Sequence, residues 1–265
     1  MGELVFVGLG LYDDRDISLR GLEEVKSADD VFLELYTNFL PGFSLERFAE
    51  ICGKVPRAVS RTELEENGGK IILDAAKQGK AVLLVPGDPF VATTHVALRL
   101  EAAKHGVKTR IIHGSSIVSA VSGISGLHNY KFGRSVTIPF QENYSELPYE
   151  VISQNQALGL HTLCFLDINV EQRRFLSVSE ALKMLLKIEE KKKKGVVTCD
   201  AIAIGIARAG SPNQTVKADY VRVLLKHDFG APPYSIIFPG KLHFMEAEAL
   251  MYFAGAPADI RRLVE

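Results

Sequence analysis

Short apolar runs that stop at glycine, proline or a carboxylate recur along this chain, and many of the segments between them carry apolar residues at helical spacing. That alternation predicts strands and helices in turn, an α/β fold. Leu4-Val5-Phe6-Val7 predicts the first strand, opening into Gly8-Leu9-Gly10-Leu11-Tyr12-Asp13, and Ile17 to Leu22 enters a helix. Val31 to Tyr36 predicts a second strand, Ser44 to Cys52 a helix with Ser44 as N-cap, and Val55 to Val59 a third strand. A helix over Ile71 to Ala76, ended near Gly79, leads into Val82-Leu83-Leu84-Val85. This run is apolar on both faces, which suits the centre of a parallel sheet covered by helices. Val96 to His105 predicts a helix and Lys108 to Ile112 another strand, giving a mostly parallel sheet of about five strands.

After His113-Gly114 the pattern changes. Ser135 to Pro139, Thr162 to Asp167, Ala201 to Ala207 and Tyr234 to Phe238 predict strands, with helices over Tyr149 to Leu158, Ala181 to Lys192, Asp219 to Lys226 and Met245 to Phe253. Fewer helices per strand than βαβ units need predict a mixed, partly antiparallel second sheet. The expected organisation is a parallel α/β domain over residues 1–113 and a mixed α/β domain over residues 114–265.

Charge and cysteine content narrow the function classes. Lys plus Arg number 31 against 32 for Asp plus Glu. This balance does not favour nucleic-acid or membrane-surface binding. The run Lys191 to Lys194 falls at a predicted helix end, where cations suit the dipole. Cys52, Cys164 and Cys199 are widely spaced, which predicts reduced thiols, no metal site and no disulfide framework. With no apolar run long enough to span a bilayer, a soluble cytoplasmic protein is expected.

Chemistry concentrates in the loops. Val85-Pro86-Gly87-Asp88-Pro89 ends the central run with two prolines that no helix or ladder continues through, holding Asp88 at the carboxyl end of a strand, where α/β sheets bind ligands. A structural turn whose Asp caps the next helix is the plain alternative. Gly8-Leu9-Gly10 echoes a dinucleotide fingerprint, but Asp13 stands where its third glycine would be. The glycines serve either a close backbone approach to another ligand or the turn itself. Glu34 lies within a predicted strand and is expected at a solvated edge or paired with a loop. Ser115-Ser116-Ile117 either presents N–H groups to a ligand or caps a helix.

Taken in order, Gly8-Leu9-Gly10-Leu11, Pro86-Gly87-Asp88-Pro89, Ser115-Ser116-Ile117 and Ala207-Arg208-Ala209-Gly210-Ser211 resemble the tetrapyrrole methylase superfamily of S-adenosylmethionine methyltransferases over essentially the whole chain. Ala92-Thr93-Thr94-His95, Gly126-Leu127-His128, Tyr130-Lys131-Phe132-Gly133, Leu166-Asp167-Ile168 and Pro239-Gly240-Lys241-Leu242-His243 resemble the branch that modifies translation elongation factor 2. The resemblance implies two α/β/α domains with the S-adenosylmethionine cleft between them, and a homodimer. Matching positions make Leu11, Asp88, Val91, Ser116, Ile117, Leu166, Ala209 and Tyr234 cofactor contacts; Tyr234 departs from the histidine of that branch, so a backbone contact is expected there. The implied substrate is elongation factor 2 with a 3-amino-3-carboxypropyl group on one histidine, whose amino group is methylated repeatedly.

Methyl transfer to an amine relies on holding nitrogen and methyl carbon together in a site without water. The amine must also lose protons, and Asp13, Asp16, His95 and His128 are the titratable candidates, His95 foremost because a helix N-terminus would move its pKa. Tyr12, Tyr36 and Tyr130 are candidate aromatic faces for a methylated ammonium, and Arg208 and Lys131 are candidates for the substrate carboxylate. Methylation of a tetrapyrrole or corrin precursor is the alternative within the fold. A nicotinamide oxidoreductase and a non-enzymatic translation-factor binder are the alternatives outside it.

Overall fold

A computed structural model describes residues 2–264 and divides the chain into two units. The first runs to Ile117 and takes in Val170–Gln172; the second holds Val118–Asn169 and the chain from Arg173 onward.

In the first unit, β1 (Glu3–Gly8), α1 (Leu19–Lys26), β2 (Asp30–Glu34), α2 (Leu45–Cys52), β3 (Arg57–Val59), α3 (Lys70–Gln78), β4 (Lys80–Val85), α4 (Val96–Lys104) and β5 (Lys108–Ile112) follow one another. Ser44 caps α2 as expected, accepting from Arg47 N. All five strands are parallel, in the order β3-β2-β4-β1-β5, so the apolar run Val82–Val85 does take the central place. Both faces of the sheet are covered. Leu4, Phe6, Leu83 and Val85 pack with Ile72, Ala76, Leu98 and Ala102. Val5, Val7, Val82 and Leu84 pack with Val25, Phe48 and Cys52. Hence α1 and α4, which follow the neighbouring strands β1 and β4, leave toward opposite faces. Such a parting opens a crevice at the carboxyl ends of two adjacent strands.

The second unit is built from α5 (Ile117–Ser125), β6 (Val136–Ile138), α6 (Leu147–Ala157), β7 (Thr162–Leu166), β8 (Ile168–Asn169), β9 (Arg174–Phe175), α7 (Val178–Lys192), β10 (Ile202–Ala207), β11 (Thr215–Tyr220), α8 (Val221–Leu224), β12 (Tyr234–Phe238) and α9 (Phe244–Ala254). Its five-stranded sheet has the order β11-β10-β12-β7-β6, antiparallel except where β6 joins β7, which is the mixed sheet expected. Its core gathers Tyr149 and Ile152 of α6, Ala181, Leu185 and Ile188 of α7, and Cys164, Ile236 and Phe238 of the sheet.

Two elements correct the sequence reading. Strand β11, which pairs residue by residue with β10, takes Asp219 and Tyr220 from the start of the helix predicted over Asp219 to Lys226, and Val221–Leu224 form a single helical turn. Thr215 and Val216 are β-branched, and the sheet partner overrides the weak helical pattern that follows. Helix α7 begins before Ala181, because Ser177 and Glu180 form a reciprocal capping box. At its other end the lysine run is partly paired: Lys192 contacts Glu146 and Glu150, and Lys194 contacts Glu150.

Candidate functional site

The carboxyl ends of β4, β1 and β5, three adjacent strands, carry Gly87, Gly8 and Gly114. Gly10 and Gly87 bridge the first two loops, with Gly87 N donating to Gly10 O at 2.7 Å. A Cβ on Gly8 would stand 2.5 Å from both Gly114 N and Gly87 O, and one on Gly114 would stand 2.3 Å from Gly87 O. The three loops therefore touch backbone to backbone, which any larger residue would force apart. At Gly87 itself φ is +71° and the Cβ direction is open space, so the loop presents bare backbone outward.

On this floor the structure places five expected contacts: Leu11 past β1, Asp88 and Val91 past β4, Ser116 and Ile117 past β5. Asp88 is buried; its Oδ1 accepts from Phe90 N at 3.0 Å and its Oδ2 lies 2.7 Å from Nδ1 of the exposed His113. A carboxylate has room for about four donors, so Asp88 both shapes its turn and keeps capacity for a ligand. His113, not anticipated from sequence, is its partner. Ala92, four residues on, sits at φ +56°, a strained conformation for alanine.

In the second unit, Leu166 ends β7, Tyr234 begins β12, and Ala209 follows β10. The registers Ser235↔Phe165 and Ala207↔Tyr234 bring these three to one edge of the mixed sheet. The Tyr234 hydroxyl donates to Gly230 O, so its ring is held within its own loop.

Several candidates turn out to be engaged elsewhere. All five donors of the Arg208 guanidinium go to this chain: Nε and Nη2 to Asn213 O at 3.1 and 2.9 Å, Nη2 also to Thr215 Oγ1, and Nη1 to Phe229 O and Ala231 O. None remains for a substrate carboxylate. Lys131 lies 3.3 Å from the wholly buried Glu246, which also accepts from His128 N and faces His161 Nε2 at 3.0 Å. Burial raises the Glu246 carboxyl, yet the hydrogen bonds from His161, His128 and His243 hold it down at about 2. Tyr130 is exposed, its hydroxyl 2.9 Å from Nδ1 of His128, on which its ring stacks. Of the acids in the glycine loop, Asp13 is bound by Arg15, whose hydrogen bond lowers its pKa, and Asp16 accepts from Leu11 N and Tyr12 N. Tyr12 is half-buried, its carbonyl tied to Gly42 N.

His95 is buried behind the loop, 2% exposed. Its Nδ1 lies 2.9 Å from Pro89 O, and Nε2 has no hydrogen-bond partner among the described residues. Burial lowers its pKa, and the contact with the Pro89 carbonyl opposes this; the cause is desolvation, not the helix end that the sequence pointed to. At 3.8 Å from Nε2 stands Oε1 of Glu34. Of the two expectations for Glu34 the solvated edge fails, since β2 lies inside the sheet and Glu34 is 0% exposed, and the pairing with a loop holds. Its carboxylate accepts from Thr37 Oγ1 at 2.5 Å, Tyr36 N at 3.1 Å and Thr37 N at 3.2 Å. Burial outweighs these bonds and pushes it up to about 7. The signal was present, since an acid closing the apolar run Val31-Phe32-Leu33 in an inner strand has no solvent to meet.

Comparison with known proteins agrees with this arrangement. The family described as Tetrapyrrole (Corrin/Porphyrin) Methylases matches residues 3–222. The chain is 48% identical to the diphthine synthase of Methanosarcina mazei over 99% of its own length and all of the relative's. It is 47% identical to that of Archaeoglobus fulgidus, over 98% of this chain and 99% of the other. A crystal structure of a diphthine synthase superposes with a TM-score of 0.90 at 46% identity, covering 98% of this chain and 99% of that one. Whole-length matches in sequence and fold, with glycine-floored loops at the strand ends, establish that the chain belongs to the tetrapyrrole methylase family, in its diphthine synthase branch, and is an S-adenosylmethionine-dependent methyltransferase.

Proposed function

We propose that this chain methylates, in successive steps, the amino group of the 3-amino-3-carboxypropyl-histidine of translation elongation factor 2, giving diphthine, and that it works as a homodimer in the cytoplasm. The observation that carries the reading is the combination of the fused glycine floor with full-length similarity to diphthine synthases of about half identical sequence. Three free cysteines, two of them buried, fit a reducing compartment.

The residues present fit the cofactor. Asp88 offers a buried anion for an ammonium or ribose hydroxyl, and the open face at Gly87 admits a flat or extended group against bare backbone. Leu11, Val91, Ser116 and Ile117 would complete the contact on this floor, and Leu166, Ala209 and the Tyr234 backbone are the further cofactor contacts in this reading. When bound, S-adenosylmethionine supplies a methyl group on a sulfonium, whose displacement leaves a neutral sulfide. The protein's part is to hold the acceptor in line and keep water out, which a floor of Gly, Pro, Val and Ala does without opposing charges.

The test is transfer of labelled methyl to elongation factor 2 carrying only the aminocarboxypropyl group, read by intact mass beside unmodified factor and a corrin precursor. Mass steps of one methyl on the modified factor alone are expected. Transfer to the corrin precursor alone would overturn the reading in favour of small-molecule methylation.

A further inference from the structure

His113 is the first residue past β5, and Asp88 stands in the loop past β4. Strand β1 runs between them, with Gly8 level with Val85 on one side and Val7 level with Ile112 on the other. The two side chains therefore meet across the end of β1, with His113 Nδ1 2.7 Å from Asp88 Oδ2, where Gly8 carries no side chain to block them. Each is anchored. Gly87 next to Asp88 and Gly114 next to His113 belong to the fused floor, so the backbone on both sides of the bond is fixed. Exposure is divided unevenly between the partners: the Asp88 side chain is 9% exposed and the His113 ring 74%. A ring left so far in solvent adds little to the core, and what it contributes is a hydrogen-bond donor. Facing a carboxylate oxygen at this distance, Nδ1 carries the hydrogen, since two lone pairs would repel. The other oxygen, Oδ1, takes Phe90 N at 3.0 Å. Among the described residues no lysine or arginine pairs with Asp88, so its charge is not cancelled by a fixed cation.

Resting on the reading of Asp88 as a cofactor contact, we propose that His113 is a positioning residue of the S-adenosylmethionine site: it fixes the Asp88 carboxylate so that the lone pairs left by Phe90 and His113 face the N–H or O–H donors of the cofactor. A carboxylate turns about its last torsion with little hindrance. A ligand that must first stop that rotation binds more weakly, and hydrogen bonds made to a misaligned acceptor weaken steeply as they bend. With one oxygen tied within the β4 loop and the other tied to the β5 loop, the rotation is stopped before the cofactor arrives. His113 takes no part in the transfer itself. It holds the acid, and the acid holds the cofactor.

The test uses the full-length protein with S-adenosylhomocysteine as the probe, so its outcome does not depend on the elongation factor. Affinity is measured by calorimetry for wild type, Asp88→Asn, His113→Ala and His113→Asn, with thermal unfolding to confirm that each is folded. Alanine removes the donor, whereas asparagine keeps an N–H donor two bonds from Cβ, where Nδ1 stands. We expect binding about 10-fold weaker in His113→Ala, the loss of one hydrogen bond to a charged group, and affinity within about 3-fold of wild type in His113→Asn. Wild-type affinity in His113→Ala overturns the proposal. So does a His113→Asn protein as weak as His113→Ala, because the ring and not its donor would then serve the site. Asp88→Asn separates the proposal from the reading beneath it: unchanged affinity there removes Asp88 from the cofactor site and the proposal with it, while weakened binding there beside wild-type binding in His113→Ala removes the proposal alone. The ring nitrogens of His113, followed by NMR without ligand and with S-adenosylhomocysteine, give a second readout. Hydrogen on Nδ1 is expected in both states, and a ring with hydrogen on Nε2 alone overturns the proposal.

Discussion

Three glycines and one arginine show how single residues decide this fold. Gly114 has no room for a methyl group because the atom it would strike is the Gly87 carbonyl oxygen, part of a backbone that cannot rotate away. Gly114→Ala is expected to cost about 1–3 kcal/mol, the usual range for overpacking, and to weaken cofactor binding as well; thermal unfolding and calorimetry read the two effects. Arg208 acts in the opposite sense, by reach instead of absence. It sits at φ +52° and spends its five donors on carbonyls of two loops and on Thr215. Lys cannot reproduce that fork. Arg208→Lys should lower stability by about 1–3 kcal/mol, since carbonyls lose partners, with methyl transfer per folded molecule unchanged. A raised KM for modified elongation factor would return Arg208 to the substrate site.

Elements tell which parts of the structure were readable. The inner strands of the first sheet, β1, β2 and β4, were legible because a strand covered on both faces is apolar along nearly all its length, and the loops at their ends because Pro and Gly punctuate them. Strand β11 was not, because its partner β10 supplies what its own residues lack, and no local pattern records a neighbour. Nor does spacing reveal that Glu34 and His95 meet: they come from β2 and the entrance to α4, elements linked only through the sheet. Helix α9 is another such case. His243 and Glu246 form its capping box, and the same Glu246 carboxylate binds His161 and Lys131. Glu246→Ala is expected to cost about 3 kcal/mol or more, because it leaves the buried His161 Nε2–H without its acceptor and Lys131 without its counter-charge, measurable by denaturant unfolding.

For the molecule as a whole, these two buried acids pull the pH dependence of stability in opposite directions. Glu246, at about 2 when folded against 4.5 ordinarily, stabilises above pH 4.5, and that stabilisation is lost as pH falls from 4.5 toward 2. Glu34, at about 7 against the same 4.5, holds more protons folded than unfolded, so its contribution is full below 4.5 and declines as pH rises toward 7. Its size is on the order of 3 kcal/mol. Glu34→Gln should therefore flatten stability between pH 4.5 and 7, and unfolding followed across that interval checks it; an unchanged slope would show that Glu34 titrates normally. The fused floor beneath the strand ends has a consequence for the time course of ligand capture. Three loops pinned to one another have little freedom left to lose, so association at the floor should resemble a key meeting a cut lock: a single fast phase, with hydrogen exchange at Gly8, Gly87 and Gly114 already slow before any ligand arrives.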